Sequence, residues 1–199
     1  RVEVPLVGKT RSPEVARMLD IEWMPAEWPT TWDEKYGNRS LPIGGLLQLS
    51  DRKHRPALVY LHETMEADAQ EKLESDMFGT EEVILGTRFF RCFMINADDI
   101  QDEKIKAEYA RKLPALIFLD GRGEEVLRLQ GKTRASRVQA AMKRVFGDHF
   151  KASMPKVLRA MTDGLDDLQK AEDRMADAQK LRDEVEDRIQ LLVDDRLRP

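Results

Sequence analysis

The side chains best equipped for chemistry in this 199-residue chain crowd one short stretch: His62, Glu63, Glu66 and Asp68. An imidazole and several carboxylates are donor types that bind zinc or a transition metal. Nothing in their spacing fixes a coordination geometry. The stretch therefore reads as a solvated turn whose acids favour the N-terminus of a following helix. No metal or other cofactor is expected, and an enzyme with a metal or carboxylate site near His62 stands as an alternative. The other histidines, His54 and His149, lie outside any nucleophile–base motif. Gly121 and Gly123 precede a strand-like run, so they make a hairpin turn and not a phosphate cradle at a helix start. Cys92 is the only cysteine, which excludes an intramolecular disulfide, a C-x-x-C pair and a cysteine zinc cluster. It sits mid-strand in an apolar run, where burial raises a thiol pKa and makes it inert.

Three successive segments position these residues. Residues 1–44 read as an irregular N-terminal arm, with a short helix starting at Ser12-Pro13-Glu14. Trp23, Trp28 and Trp32 follow, interleaved with Pro25 and Pro29. Prolines at that density disfavour a helix and predict an extended chain. Such an arm either folds back over its own domain or inserts into a partner, and we take the tryptophans as partner contacts.

Residues 45–147 alternate strand and helix patterns, a β-α-β unit followed by a β-β-α unit. Ala57 to Leu61 is a short apolar run after Pro56, suited to a central strand. Ala69 to Phe78 is helical, with Leu73 and Met77 inward and acids on the other face. Arg88 to Ile95 is the second strand, ended by Asn96-Ala97-Asp98-Asp99, and a helix runs from about Asp102 to Arg111. Leu113-Pro114 introduces the strand Ala115 to Leu119. Asp120-Gly121-Arg122-Gly123 turns it into Glu125 to Leu129. The last helix starts after Gly131 and Thr133 and turns Val138, Ala141, Met142, Val145 and Phe146 inward.

Residues 153–197 contain Gly164 and, between Pro155 and Pro199, no other helix breaker. Apolar residues recur every three or four positions from Leu158 through Leu165, Leu168, Met175, Leu181, Val185 and Ile189 to Leu192. This predicts one amphipathic helix about 60 Å long at 1.5 Å per residue, too long for its own domain to cover. Leu168, Met175, Leu181, Val185 and Ile189 are therefore expected partner contacts, as a coiled coil or within an assembly. The helix is expected to serve assembly and not folding of the domain, so a chain ending at Gly147 should still fold. Asp166 with Lys170 and Glu184 with Arg188 are i, i+4 pairs that suit an exposed helix.

The middle segment resembles the thioredoxin-like superfamily. The matching residues are Leu58-Val59-Tyr60-Leu61-His62, the helix with Lys72-Leu73-Glu74, the strand end Asn96-Ala97-Asp98, and Leu113-Pro114-Ala115-Leu116-Ile117-Phe118-Leu119-Asp120-Gly121. The resemblance covers about half of the chain. It implies an α/β fold with a mixed central sheet flanked by helices, and a cis peptide bond before Pro114 that faces the active-site turn. It also implies that the family's cysteine pair falls at Met65-Glu66-Ala67-Asp68-Ala69, with Glu66 and Ala69 where the two thiols belong. Disulfide exchange needs a thiolate nucleophile and a second thiol to resolve the mixed disulfide. Its loss here implies a redox-inactive member.

Composition bounds the rest. At 41% hydrophobic residues the chain can build a core, and no apolar run approaches a membrane span. Its 33 basic and 37 acidic side chains are interspersed and leave a net −4, which favours neither nucleic acid nor an anionic membrane as partner. The expected function is a non-catalytic accessory or structural subunit making protein–protein contacts in a larger complex. A peptide-binding or chaperone-like module using the surface around Pro114 is the alternative. Because the chain starts at Arg1, a processed N-terminus is expected, in a mitochondrion, a plastid or an extracytoplasmic compartment, with the cytoplasm as alternative.

Overall fold

The central strands are built from residues that cannot face water on either side. In the computed structural model, which describes residues 10–35, 37–47 and 55–196, strand β4 is Ala57–His62 and strand β6 is Ala115–Leu119. They are preceded by β1 (Met24–Pro25) and a separate hairpin of β2 (Thr30–Asp33) and β3 (Gly37–Ser40), and completed by β5 (Arg91–Asn96) and β7 (Glu125–Gln130). The main sheet has the order β1-β5-β4-β6-β7. β5 runs parallel to β1 and β4, whereas β6 is antiparallel to both β4 and β7.

Strand periodicity of two sorts the apolar residues onto two faces. Leu58, Tyr60, Cys92, Leu116 and Phe118 point to one side. There they meet helices α2 (Ala67–Phe78), α3 (Glu81–Thr87), α5 (Ala135–Phe150) and the start of α6 (Met154–Arg196). Ala57, Val59, Leu61, Phe93, Ile95, Ala115, Ile117 and Leu119 face the other side, against Trp28, Ile43, Leu46 and the helix α4 (Glu103–Tyr109). Each large apolar side chain so enclosed stabilises by roughly 1.5–3 kcal/mol. The inward face of α5 is Val138, Ala141, Met142, Val145 and Phe146, as its 3.6-residue period requires. The parallel β-α-β unit followed by an antiparallel β-β-α unit is a thioredoxin-like fold. α2 follows β4, and the Leu113–Pro114 bond leading into β6 is cis.

From residue 10 onward the N-terminal segment folds back over its own domain. Helix α1 (Pro13–Arg17) is capped by Ser12, whose side chain accepts from the Val15 amide. β1 forms the edge of the main sheet beside β5. Trp23 and Trp28, expected to touch a partner, are 8% and 6% exposed and belong to the chain's own two cores. Their hydrophobic area is satisfied where the segment folds back. Trp32 lies on β2, and its side chain falls outside the described residues, as do His54 and residues 1–9. Gly44 also belongs to the domain: a Cβ there would stand 2.2 Å from the Gly123 carbonyl oxygen in the β6–β7 turn, which only glycine permits.

Three further expectations change. The second strand starts at Arg91 and not Arg88, because Glu81–Thr87 forms α3 and the chain turns through Arg88-Phe89-Phe90. Glu74 does not join the solvated acids of α2: it is buried, where Gln70 Nε2 donates to it at 2.8 Å. The C-terminal helix, 43 residues long, is not separate from the domain, since Met154, Leu158 and Leu165 are enclosed in the core. Its division from the domain falls inside α6.

Candidate functional site

The turn expected to carry redox chemistry lies between β4 and α2. β4 ends at His62, and Glu66 occupies the N-cap of α2 in extended conformation without a side-chain capping bond. Met65 packs partly against the core, while Glu66, Ala67, Asp68 and Ala69 are exposed. Acids at a helix start are favoured by the partial positive charge there.

The turn is tied to the end of the neighbouring strand. The Thr64 amide donates to Asp98 Oδ2 at 2.9 Å, Asn96 Nδ2 donates to Thr64 Oγ1 at 2.9 Å, and the Asp98 amide donates to Asn96 Oδ1 at 3.0 Å. Bonds from the Thr64 amide and side chain hold the Asp98 carboxyl below its ordinary range. His62 Nδ1 lies 3.1 Å from the Glu63 carbonyl oxygen. Among the described residues no three His, Cys, Asp or Glu side chains gather as a metal ion would require.

Beneath the turn sits a ring cluster. Tyr60 lies 5.5 Å from Trp23, 5.5 Å from Phe78 and 5.3 Å from His62, centroid to centroid. Burial, reinforced by the Glu74 carboxylate, pushes the Tyr60 phenol up and keeps it neutral. Pro114 is buried, and its carbonyl accepts from the Gly131 amide at 2.8 Å.

Cys92 is remote from the turn. Its strand partner is Leu58, whereas the turn end of the same ladder pairs His62 with Asn96, about 13 Å away at 3.3 Å per residue. Cys92 is 4% exposed, and burial pushes its thiol up to about 12. At neutral pH it holds no thiolate.

The other candidate surface is α6. Arg11 clamps its beginning: Nε and Nη2 donate to the two carboxylate oxygens of Glu81 at 2.6 and 2.7 Å, and Nη1 donates to Asp166 at 2.6 Å. These acids raise the guanidinium pKa further. The Ser12 amide donates to Gln169 at 2.7 Å and the Ser12 hydroxyl to Glu172. Beyond this, every residue from Asp173 to Val193 is exposed. Met175, Leu181 and Ile189 are 72%, 63% and 55% exposed. Leu168, at the edge of an apolar hollow with Met18, Leu85 and Met161, and Val185 are exposed as well.

The helix's ion pairs differ from the sequence pattern. Asp166 is taken by Arg11, Lys170 pairs with Asp167 at 3.0 Å, and Arg182 pairs with Glu186 at 3.1 Å. Sequence reasoning missed Arg11, whose partners stand 70 and 155 residues away. No local signal marks such a residue. The burial of Tyr60 with Glu74 was equally hidden, because helical periodicity alone puts Glu74 beside exposed acids.

No family model and no curated protein matches this sequence. Solved structures do. A thioredoxin from Thermus thermophilus is 19% identical over 50% of this chain and 79% of its own, with a TM-score of 0.41. A thioredoxin from Fasciola hepatica is 18% identical over 51% of this chain and 91% of its own, with a TM-score of 0.36. The thioredoxin-like domain of Arabidopsis NCP (nuclear control of PEP activity) is 15% identical over 60% of this chain and 81% of its own, with a TM-score of 0.38. The strand order and crossovers described above, not these scores, define the class: an α/β protein with a thioredoxin-like fold. No helix among the described residues is long and apolar enough to cross a membrane.

Proposed function

We propose that this chain is a non-catalytic thioredoxin-like accessory subunit that makes protein–protein contacts through the distal part of α6. The observation that carries the reading is the run of large apolar residues left in water from Leu168 to Val193 on one helix. Exposing so much apolar area without a partner is unfavourable, and a stripe of it on a helix is the usual form of a docking face. Glu66 and Ala69 support the non-catalytic part, since neither supplies a thiolate, and the one thiol is buried about 13 Å up the sheet.

Two measurements test the reading. In an insulin reduction assay with a dithiol donor the protein should stay at background; turnover abolished by Cys92→Ser would show that it is an enzyme after all. The chain carrying Leu168→Asp, Met175→Asp and Leu181→Asp should keep its melting temperature and lose its place in a native complex isolated from its source. Unchanged co-migration of that variant would remove α6 as the contact.

A further inference from the structure

The exposed stripe of α6 starts from the face that docks on the domain and turns progressively away from it. At ~100° per residue, Met154, Leu158, Met161 and Leu165 lie on one line down the helix. Leu168 continues that line one heptad beyond Met161, and Ala171, Met175, Ala178, Arg182, Val185, Ile189 and Leu192 drift progressively round the helix, because seven residues fall about 20° short of two turns, until Ile189 and Leu192 stand about 100° or more from it. This drifting stripe is a heptad seam. Leu168, Met175, Arg182 and Ile189 occupy the first core position of successive sevens, and Ala171, Ala178, Val185 and Leu192 the fourth. Beyond Leu168, which still borders the domain, the seam is exposed and can take a second helix while the first third of α6 stays docked.

The residues beside the seam state which helix. One flank carries Arg174, Leu181 and Arg188, the other Glu172, Gln179 and Glu186, and Arg182 stands within the seam itself. A parallel copy of the same helix would set Arg182 against Arg182 in the dry core. Its flanks would meet as Arg174 with Gln179, Leu181 with Glu186 and Arg188 with Val193, without one ion pair. An antiparallel copy covering the whole stripe, Leu168 against Leu192, would face Arg174 with Arg188 and Glu172 with Glu186. Shorter antiparallel overlaps leave part of the stripe in water. The stretch from Asp166 to Arg196 also carries eleven acidic and six basic side chains, so two copies repel overall.

We infer that the seam of α6 is the docking face for an amphipathic helix of a different protein, with carboxylates opposite Arg174, Arg182 and Arg188 and basic residues opposite Glu172 and Glu186. Arg182 then has a double use. Alone, it is held by Glu186 at 3.1 Å in water. In the complex, its charge in the core admits an acidic partner and rejects a wholly apolar or basic one, as a single polar core residue does in setting pairing. The inference rests on the accessory reading above and narrows it to a heterotypic pair.

The test uses the full chain. Its mass is first measured by sedimentation equilibrium, where a monomer is expected. Fluorescent amphipathic peptides of about four heptads, made in parallel and antiparallel registers, are then titrated in. One set has carboxylates opposite the three arginines and lysines opposite the two glutamates; the other has these charges swapped. The complementary set should bind at least about tenfold more tightly than the swapped set. Arg182→Glu, an exposed substitution that leaves the fold intact, should reverse that order. A dimer dissolved by Val185→Asp, equal binding of both peptide sets, or binding of neither overturns the inference. The accessory reading fails separately, if the native protein migrates alone in extracts of its source.

Discussion

At residue scale, the turn between β4 and α2 carries no thiol. Glu66 stands at the N-cap of α2, where the helix's partial positive charge would depress a thiol pKa. The pair Glu66→Cys and Ala69→Cys is therefore expected to form a disulfide and raise insulin reduction from background to a measurable rate. A double variant that stays reduced and silent under oxidising conditions would show that this turn is not the equivalent of the redox turn. The native thiol behaves oppositely. Cys92 is pushed from its ordinary 9.0 to about 12 by burial, so above pH 9 the unfolded chain releases a proton that the folded chain keeps. Its contribution to stability is whole below pH 9 and declines as pH rises towards 12, by up to ~1.4 kcal/mol per unit. Cys92→Ser should melt with a shallower alkaline slope than the parent; equal slopes would mean that the thiol is accessible in the native protein.

At element scale, α6 is held by a small number of long-range contacts. Arg11 joins α3 and α6 with a side chain 3% exposed, against 16% for Glu81 and 32% for Asp166. Removing it takes one charged donor from each of Glu81 and Asp166, at about 1.5–3 kcal/mol for such hydrogen bonds, with the Asp166 share reduced by solvent screening. Arg11→Met should lower stability by about 2 kcal/mol in urea unfolding, and Arg11→Lys should recover only part, because an ammonium cannot reproduce the bidentate fork on Glu81. An unchanged midpoint in Arg11→Met would place the docking of α6 wholly in its apolar contacts. Those contacts are close: a Cβ on Gly86 of α3 would come within 2.6 Å of Met154 Cε. The helix can approach that near because position 86 has no side chain.

At the scale of the whole molecule, the boundary that matters runs through α6 near Glu172. Ending the chain at Gly147 removes Met154, Leu158 and Leu165 from the core, each on the order of 2–5 kcal/mol by analogy with large-to-alanine changes. Together they approach the whole stability of a domain, ~5–15 kcal/mol. That truncation should lose cooperative thermal unfolding, contrary to the expectation that α6 is dispensable for folding. Ending the chain at Asp173 keeps the core and the Arg11 clamp, and should leave the melting temperature nearly unchanged. If both truncations unfold alike, residues 174–196 contribute to the domain as well.

Periodicity and residue type by themselves determined the strand Ala115–Leu119, the inward face of α5, the single long C-terminal helix and the absence of a thiol pair at Glu66 and Ala69. These are local properties: alternation, the 3.6-residue repeat and the identity of a residue are all carried by neighbours in the chain. Only the tertiary structure decided that Trp23 and Trp28 close the chain's own cores, that Glu74 is buried and acts on Tyr60, and that the first third of α6 packs on the core while the rest is surface. Each of those depends on a contact between residues far apart in sequence. A stripe of apolar residues states that something must cover it; which part is covered from within is settled by where the neighbouring helices end.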